Sequence, residues 1–357
     1  MQPNASIDSL EKYRLLASLG PSGIAKLYVA AMNGDDGSPR LALLKVFDED
    51  LLTGFEQPTQ AIFAEARRAT ELVHRNIVRT YEVGEADGRC FFALEYVEGQ
   101  SLRALSLRAA RAGLPLADEL RIVIEVARGL HYAHELRGPD GAPLGIVHRD
   151  VCPQNVVVTY DGQVKISDFG MARLLEAQLT QLGIVKGKLD YIAPEQLRGD
   201  AVDRRADVFA LGAMLWEAVT GQRFAGGRAV STVAKIHARL HGREEQVRTV
   251  VAALPESLAN IVDRAIALEP YERFQTAAEL ADALEGYLVR LGESPSEASL
   301  ASTMTTLFSA ERHRVRSALR EQLSAPRGRP LRLSDSTGEF PALGPNGPRS
   351  SSLALIV

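Results

Sequence analysis

Between Tyr13 and Val97 the chain falls into short apolar-rich runs punctuated by turn residues, a pattern that predicts strands. The expected strands are Tyr13–Leu19, Ala25–Ala31, Leu41–Phe47, Arg79–Gly84 and Cys90–Tyr96, divided by turn-rich segments such as Asn33-Gly34-Asp35-Asp36-Gly37. One helix interrupts them. From Pro58 to Val73, Ile62, Ala66, Ala69, Leu72 and Val73 recur at helical spacing, and Pro58 suits a first helical turn. After Gly99 helical patterns dominate. Helices are expected over Pro115–Glu135, Asp203–Thr220, Thr232–Leu240, Leu258–Ile266 and Thr276–Leu291, broken by a strand-rich insert from Ile146 to Ser167. The pattern predicts an α+β chain of two lobes. A small sheet lobe covers residues 1–97 and a larger, mainly helical lobe covers 98–291, with a cleft between them where ligands bind.

From Gly292 the Ser, Pro, Gly and Arg content rises and periodicity fades. Residues 292–357 are therefore expected to form a tail, disordered apart from one helix over about Leu300–Leu323. Its basic run, Arg312, Arg314, Arg316 and Arg320, reads as a solvated helix face, with docking of an acidic partner protein as the other reading. The net charge of −4 gives no global basic field and argues against nucleic acid or an anionic membrane as partner. No stretch reaches the roughly 18 apolar residues of a membrane span. Asp207–Val219 comes nearest, but Glu217 interrupts it and a buried helix is expected. Cys90 and Cys152 stand in no paired or metal-ligand spacing, and Met1–Leu10 has no signal-like apolar run. Free thiols and a cytoplasmic location are expected.

The chemistry lies in one stretch. His148-Arg149-Asp150 is followed by Asn155, five residues after the aspartate, and Asp168-Phe169-Gly170 begins thirteen residues after Asn155. Asn155 and Asp168 offer the hard oxygen ligands that magnesium prefers, and Asp150 can orient a substrate hydroxyl. Val156-Val157-Val158 and Val164-Lys165-Ile166 flank Asp161-Gly162, a hairpin signal that folds Asn155 back toward Asp168. His131 and His134 share a helix face, but nothing beside them looks like a further ligand, so they read as buried or capping histidines rather than a metal site.

In these residues the chain resembles the bacterial, eukaryotic-like (Hanks-type) serine/threonine protein kinases, over about Tyr13 to Leu291. The resemblance implies a protein-kinase-like fold that uses ATP and Mg²⁺ to phosphorylate Ser or Thr of protein substrates and of itself. It makes Asp150 the catalytic aspartate, Asn155 and Asp168 the metal ligands, and Lys45 the strand lysine on the phosphates, paired with Glu65. Leu94-Glu95-Tyr96-Val97 becomes the hinge, with Leu94 as gatekeeper, the backbone of Glu95 and Val97 on adenine, and Leu27 lining the base. Ala193-Pro194-Glu195 ends the activation segment, Arg273 pairs with Glu195, and Asp207 anchors the catalytic loop. Thr180 becomes a candidate for an activating phosphate received by Arg149.

Two departures matter. The glycine-rich loop reads Gly20-Pro21-Ser22-Gly23-Ile24-Ala25, with Ser22 and Ala25 where the family has glycine. The family's lysine after the catalytic aspartate is Cys152 here, and a threonine that meets it is Lys188. A swap is expected, in which Lys188 returns the positive charge to Asp150 from the opposite side. These departures leave a pseudokinase, acting as a nucleotide-binding or docking scaffold, as the alternative. The missing lysine also leaves Tyr open as acceptor.

Overall fold

The structure, a computed structural model, describes residues 12–22, 25–33, 38–47, 66–86, 89–109, 113–171, 189–326 and 330–333. They belong to two compact units, one of residues up to 71, 79–99 and from 308 onward, the other of 72–78 and 100–307. The expected positions Gly23, Glu65, Thr180 and Lys188 lie outside the described residues, as does most of the helix expected over Pro58–Val73, whose described end holds a short 3-10 turn at Arg68–Glu71.

In the first unit, β1 (Tyr13–Ser22), β2 (Ala25–Asn33), β3 (Pro39–Phe47), β4 (Thr80–Ala86) and β5 (Arg89–Glu95) form an antiparallel sheet. Their order is β4-β5-β3-β2-β1. Because side chains alternate along a strand, Ala42, Leu44 and Val46 of β3 share one face and pack with Tyr13, Ala30, Phe91 and Ala93. Leu43 and Lys45 take the other face, and both are buried. The Tyr13 and Phe91 rings meet edge-on, with centroids 5.9 Å apart.

In the second unit, β6 (Gly99–Ser101), β7 (Val156–Thr159) and β8 (Val164–Ile166) make a small sheet. The helices are α1 (Leu102–Ala109), α2 (Leu116–Glu135), α3 (Pro194–Arg198), α4 (Arg205–Thr220), α5 (Thr232–Leu240), α6 (Val247–Val250), α7 (Glu256–Ala265) and α8 (Ala277–Leu291). The core is built around α4, which packs against α2 and α7, while α8 lies along α2. Residues 206–216 of α4 are all buried, so the most apolar stretch of the chain is a core helix. No helix among the described residues is long and apolar enough to cross a membrane.

A long helix, α9 (Glu297–Ser324), extends the one expected over Leu300–Leu323, with a break in helical geometry at Phe308. Its start packs on the second unit. Ser299 Oγ donates to Asp118 Oδ2 at 2.6 Å, Arg75 pairs with Glu297, and Leu300 and Met304 are fully buried. After the helix, β9 (Leu331–Arg332) pairs parallel with Ala17 and Ser18 of β1 as the sixth strand of the first sheet.

Candidate active site

The loop after α2 is held by a buried carboxylate. Asp207, in the first turn of α4, accepts from the backbone N–H of His148 (2.8 Å, Oδ2) and of Arg149 (2.8 Å, Oδ1). His134 Nε2 lies 2.8 Å from the same Oδ2. Burial would raise the Asp207 carboxyl, but the bond and charge from His134, with further help from His148, hold it below the ordinary carboxylate range. His148 Nε2 in turn reaches the Ser167 carbonyl at 2.7 Å, and its ring meets Phe169 edge-on at 4.5 Å. The segment carrying Asp168 is thereby tied to the loop carrying Asp150.

These ties hold two unusual backbone positions. Arg149 has φ 63° and Asp168 has φ 72°, both costly for residues with a Cβ, at about 1–3 kcal/mol each. Arg149 is bound on both sides, its N–H by Asp207 and its carbonyl by Gln196 Nε2 at 3.0 Å.

Asn155 and Asp150 are brought together directly. Asn155 Nδ2 donates to the Asp150 carbonyl at 2.8 Å and to Asp150 Oδ2 at 2.9 Å, which leaves the Asn155 amide oxygen to act as an acceptor. The hairpin works as expected, since Ser167 N–H reaches the Asn155 carbonyl at 2.8 Å and places Asp168 next to this pair. One amide oxygen and one carboxylate suit Mg²⁺, which keeps waters and shares phosphate oxygens instead of demanding a full protein cage.

Glu195 and Arg273 form a fully buried pair at 2.7 and 2.9 Å. Arg273 spends its other donations on the carbonyls of Ala267, Arg205 and Leu268, so every guanidinium N–H has an acceptor. Cys152 is a buried thiol in no disulfide, at the place where the resemblance puts a lysine, and its carbonyl accepts from Asn155 N–H.

In the sheet unit, Lys45 sits mid-strand in β3, in register with Leu27 of β2 and Phe92 of β5. Leu94 and Val97 are buried. Glu95 donates its N–H to the Arg79 carbonyl at 2.8 Å, which narrows the hinge expectation for that residue to its carbonyl. Gly20 has φ 90° beside a register shift in β1, a conformation that favours glycine, and Ser22 ends that strand opposite Ala25.

Sequence reasoning missed three contributors. It read His134 as a buried or capping histidine without its tie to Asp207, and it did not single out Gln196 or Ser167. No local spacing signals these contacts, which join residues 19 to 73 positions apart.

A sheet lobe, a helical lobe and a clamped Asp150–Asn155 loop define the protein kinase fold. The sequence profile of the family described as "Protein kinase domain" matches residues 20–284, and the chain belongs to that family. It is 39% identical over 312 residues to the tyrosine-protein kinase MasK of Myxococcus xanthus, covering 86% of this chain and 48% of that protein. It is 30% identical over 274 residues to the serine/threonine-protein kinase PrkC of Bacillus subtilis, covering 75% and 39%. With the serine/threonine-protein kinase PknB of Mycobacterium tuberculosis it shares 32% over 339 residues, covering 91% and 49%. The chain thus spans half or less of the length of these relatives. Among solved structures, the kinase domain of Mycobacterium tuberculosis PknI is similar, with a TM-score of 0.59 at 28% identity over 80% of this chain and 99% of that one.

Proposed function

We propose that this chain is an active kinase that transfers the γ-phosphoryl group of ATP to Ser or Thr hydroxyls of protein substrates, and to itself. The observation that carries the reading is the clamped loop, in which Asp207 fixes His148 and Arg149 while Asn155 fixes the Asp150 carboxylate. Catalytic groups set before substrate arrives need no reorganisation during reaction. Asp150 orients the acceptor hydroxyl and takes its proton, and the Asn155 and Asp168 oxygens hold Mg²⁺. Bound Mg²⁺ supplies neutralising charge to the phosphates. Lys45, paired with Glu65, supports the α- and β-phosphates under the turn of Gly20, Ser22 and Gly23. Leu27 and Leu94 wall the adenine, which bonds the Glu95 carbonyl and Val97 N–H.

Lys188 completes the charge around Asp150 in place of the residue that is Cys152 here. Lys188→Ala is expected to lower turnover about 100-fold, as loss of one preorganised electrostatic contact does. Thr180 is the regulatory phosphosite, expected to carry phosphate in phosphopeptide maps of the active enzyme. We assign lobes to residues 1–97 and 98–291, a tail to 292–357, and the whole to the cytoplasm, acting on protein substrates with no nucleic acid. Docking of a partner protein by the tail belongs to the same reading.

The test is incubation with radiolabelled ATP and Mg²⁺, comparing wild type with Asp168→Asn, followed by phosphoamino acid analysis. Label on Ser or Thr in the wild type, lost in the variant, is the expected result; background from both means a pseudokinase. Label on Tyr is the second reading. It draws support from Cys152, which stands where Ser/Thr enzymes have lysine, and from the printed name of MasK.

A further inference from the structure

Residues 308–333 lie beyond the matched domain, yet they are built into the same compact unit as β1 to β5. Three attachments hold them. Glu98, the residue after Val97, accepts from Arg312 Nη2 at 3.0 Å and from Arg316 Nη2 at 2.6 Å, and Arg316 Nε contacts its other oxygen. Burial raises the Glu98 carboxyl, but the two guanidinium groups outweigh it and the net shift is downward. At the far end of α9, Arg14 of β1 donates to the carbonyls of Gln322 (2.6 Å), Leu323 (3.3 Å) and Ala325, satisfying groups that a helix C-terminus leaves open. Beyond it, Leu333 N–H bonds the Ser18 carbonyl at 3.0 Å, extending the β1–β9 pairing.

The segment therefore touches two of the stretches that the proposed nucleotide site takes from the sheet unit: the hinge at one end, and β1, which carries Gly20, at the other. Residues 96–98 belong to no strand or helix, so only their contacts fix their shape. Presetting such a stretch lowers the ordering cost of ligand binding.

We propose that Arg312 and Arg316 are positioning residues for ATP, holding the hinge from Glu95 to Val97 in its adenine-receiving shape through Glu98. The inference rests on the assignment of Glu95 and Val97 as the hinge. The basic character of Arg312 and Arg316, which in the sequence suggests a solvated face or a foreign acidic partner, serves an internal carboxylate.

The experiment uses the full chain. Affinity for a fluorescent ATP analogue, KM for ATP and kcat are measured for wild type, Arg312→Glu/Arg316→Glu, and that pair combined with Glu98→Arg. Charge reversal is expected to weaken nucleotide binding and raise KM about fivefold, what an ion pair of ~1 kcal/mol represents, with kcat within about twofold. The reciprocal swap is expected to restore both. Arg312→Gln/Arg316→Gln, which removes charge without repulsion, serves if the reversed pair does not fold, with the same direction expected. Unchanged binding in variants of a wild type that binds ATP overturns the positioning role alone. Equal falls in kcat and kcat/KM without rescue also overturn it, and a wild type that binds no ATP overturns the hinge assignment with it.

Discussion

Asp207 is where the local electrostatics of the catalytic loop converge, and its titration has a defined sign. Its folded-state carboxyl titrates below the ordinary range, so it favours the native state at pH values above about 4, where the unfolded carboxyl is ionised. That contribution is lost as pH falls through the lower, folded value. Asp207→Asn is expected to destabilise the protein by about 3–5 kcal/mol at neutral pH, because it breaks a buried charged contact. It should also flatten the acid limb of a plot of unfolding free energy against pH. Chemical denaturation from pH 3 to 7 checks both, and parallel acid limbs in variant and wild type would count against this account. The sequence made Asp207 legible as an anchor by resemblance alone, since the partners it anchors are 58, 59 and 73 positions away. Asp150, Asn155 and Asp168 could be singled out because they lie in one short stretch of characteristic spacing, whereas Lys45 was singled out through the resemblance alone. Gln196 was not, because a glutamine whose side chain bonds a distant carbonyl leaves no local trace.

Among the elements, those with a clear period matched expectation to within a few residues. The helix expected over Thr232–Leu240 has those bounds, and the one over Pro115–Glu135 begins one residue later. Several short elements were not legible, among them β6, α1, α3, α6 and β9. The helix Leu102–Ala109 is only eight residues long, two turns of pattern, and β9 has two residues, too few for any alternation. The Asp161-Gly162 turn was legible as a hairpin, but not for its second constraint. Gly162 has φ 85°, and a Cβ there would sit 1.9 Å from the Glu297 carbonyl oxygen at the start of α9. Gly162→Ala thus has both backbone strain and a clash with main chain that cannot rotate away. A loss of about 2–4 kcal/mol is expected from strain and overpacking together. Thermal unfolding checks the loss. Amide exchange should locate it at β7, β8 and residues 297–300 rather than in the first sheet, and a melting curve matching wild type would remove the steric argument.

Taken whole, the chain places one buried cysteine in each compact unit, Cys90 in the sheet and Cys152 in the helical unit, and its single tryptophan, Trp216, in the latter. These residues can report on the units separately. The C-terminal region reads in sequence as an appendage because its periodicity fades after Gly292, and the contacts that give it a place are not local: Arg14 meets Gln322 across 308 positions. Phe308, Leu319 and Leu333 are each no more than 5% exposed. At about 1.5–3 kcal/mol for each fully buried side chain, their removal costs an amount comparable to the net stability of a domain. A chain ended after Leu307 keeps the contacts of Ser299, Leu300 and Met304 with the helical unit but strips the sheet unit of its sixth strand and of the Glu98 ion pairs. Cys90 in this truncated protein is expected to react with a thiol reagent at least about tenfold faster, while Cys152 reactivity and the Trp216 emission transition stay near wild type. Mass spectrometry of peptides labelled over time separates the two thiols. Equal rates at Cys90 in truncated and full-length protein would mean that residues 308–333 rest on the sheet without supporting it.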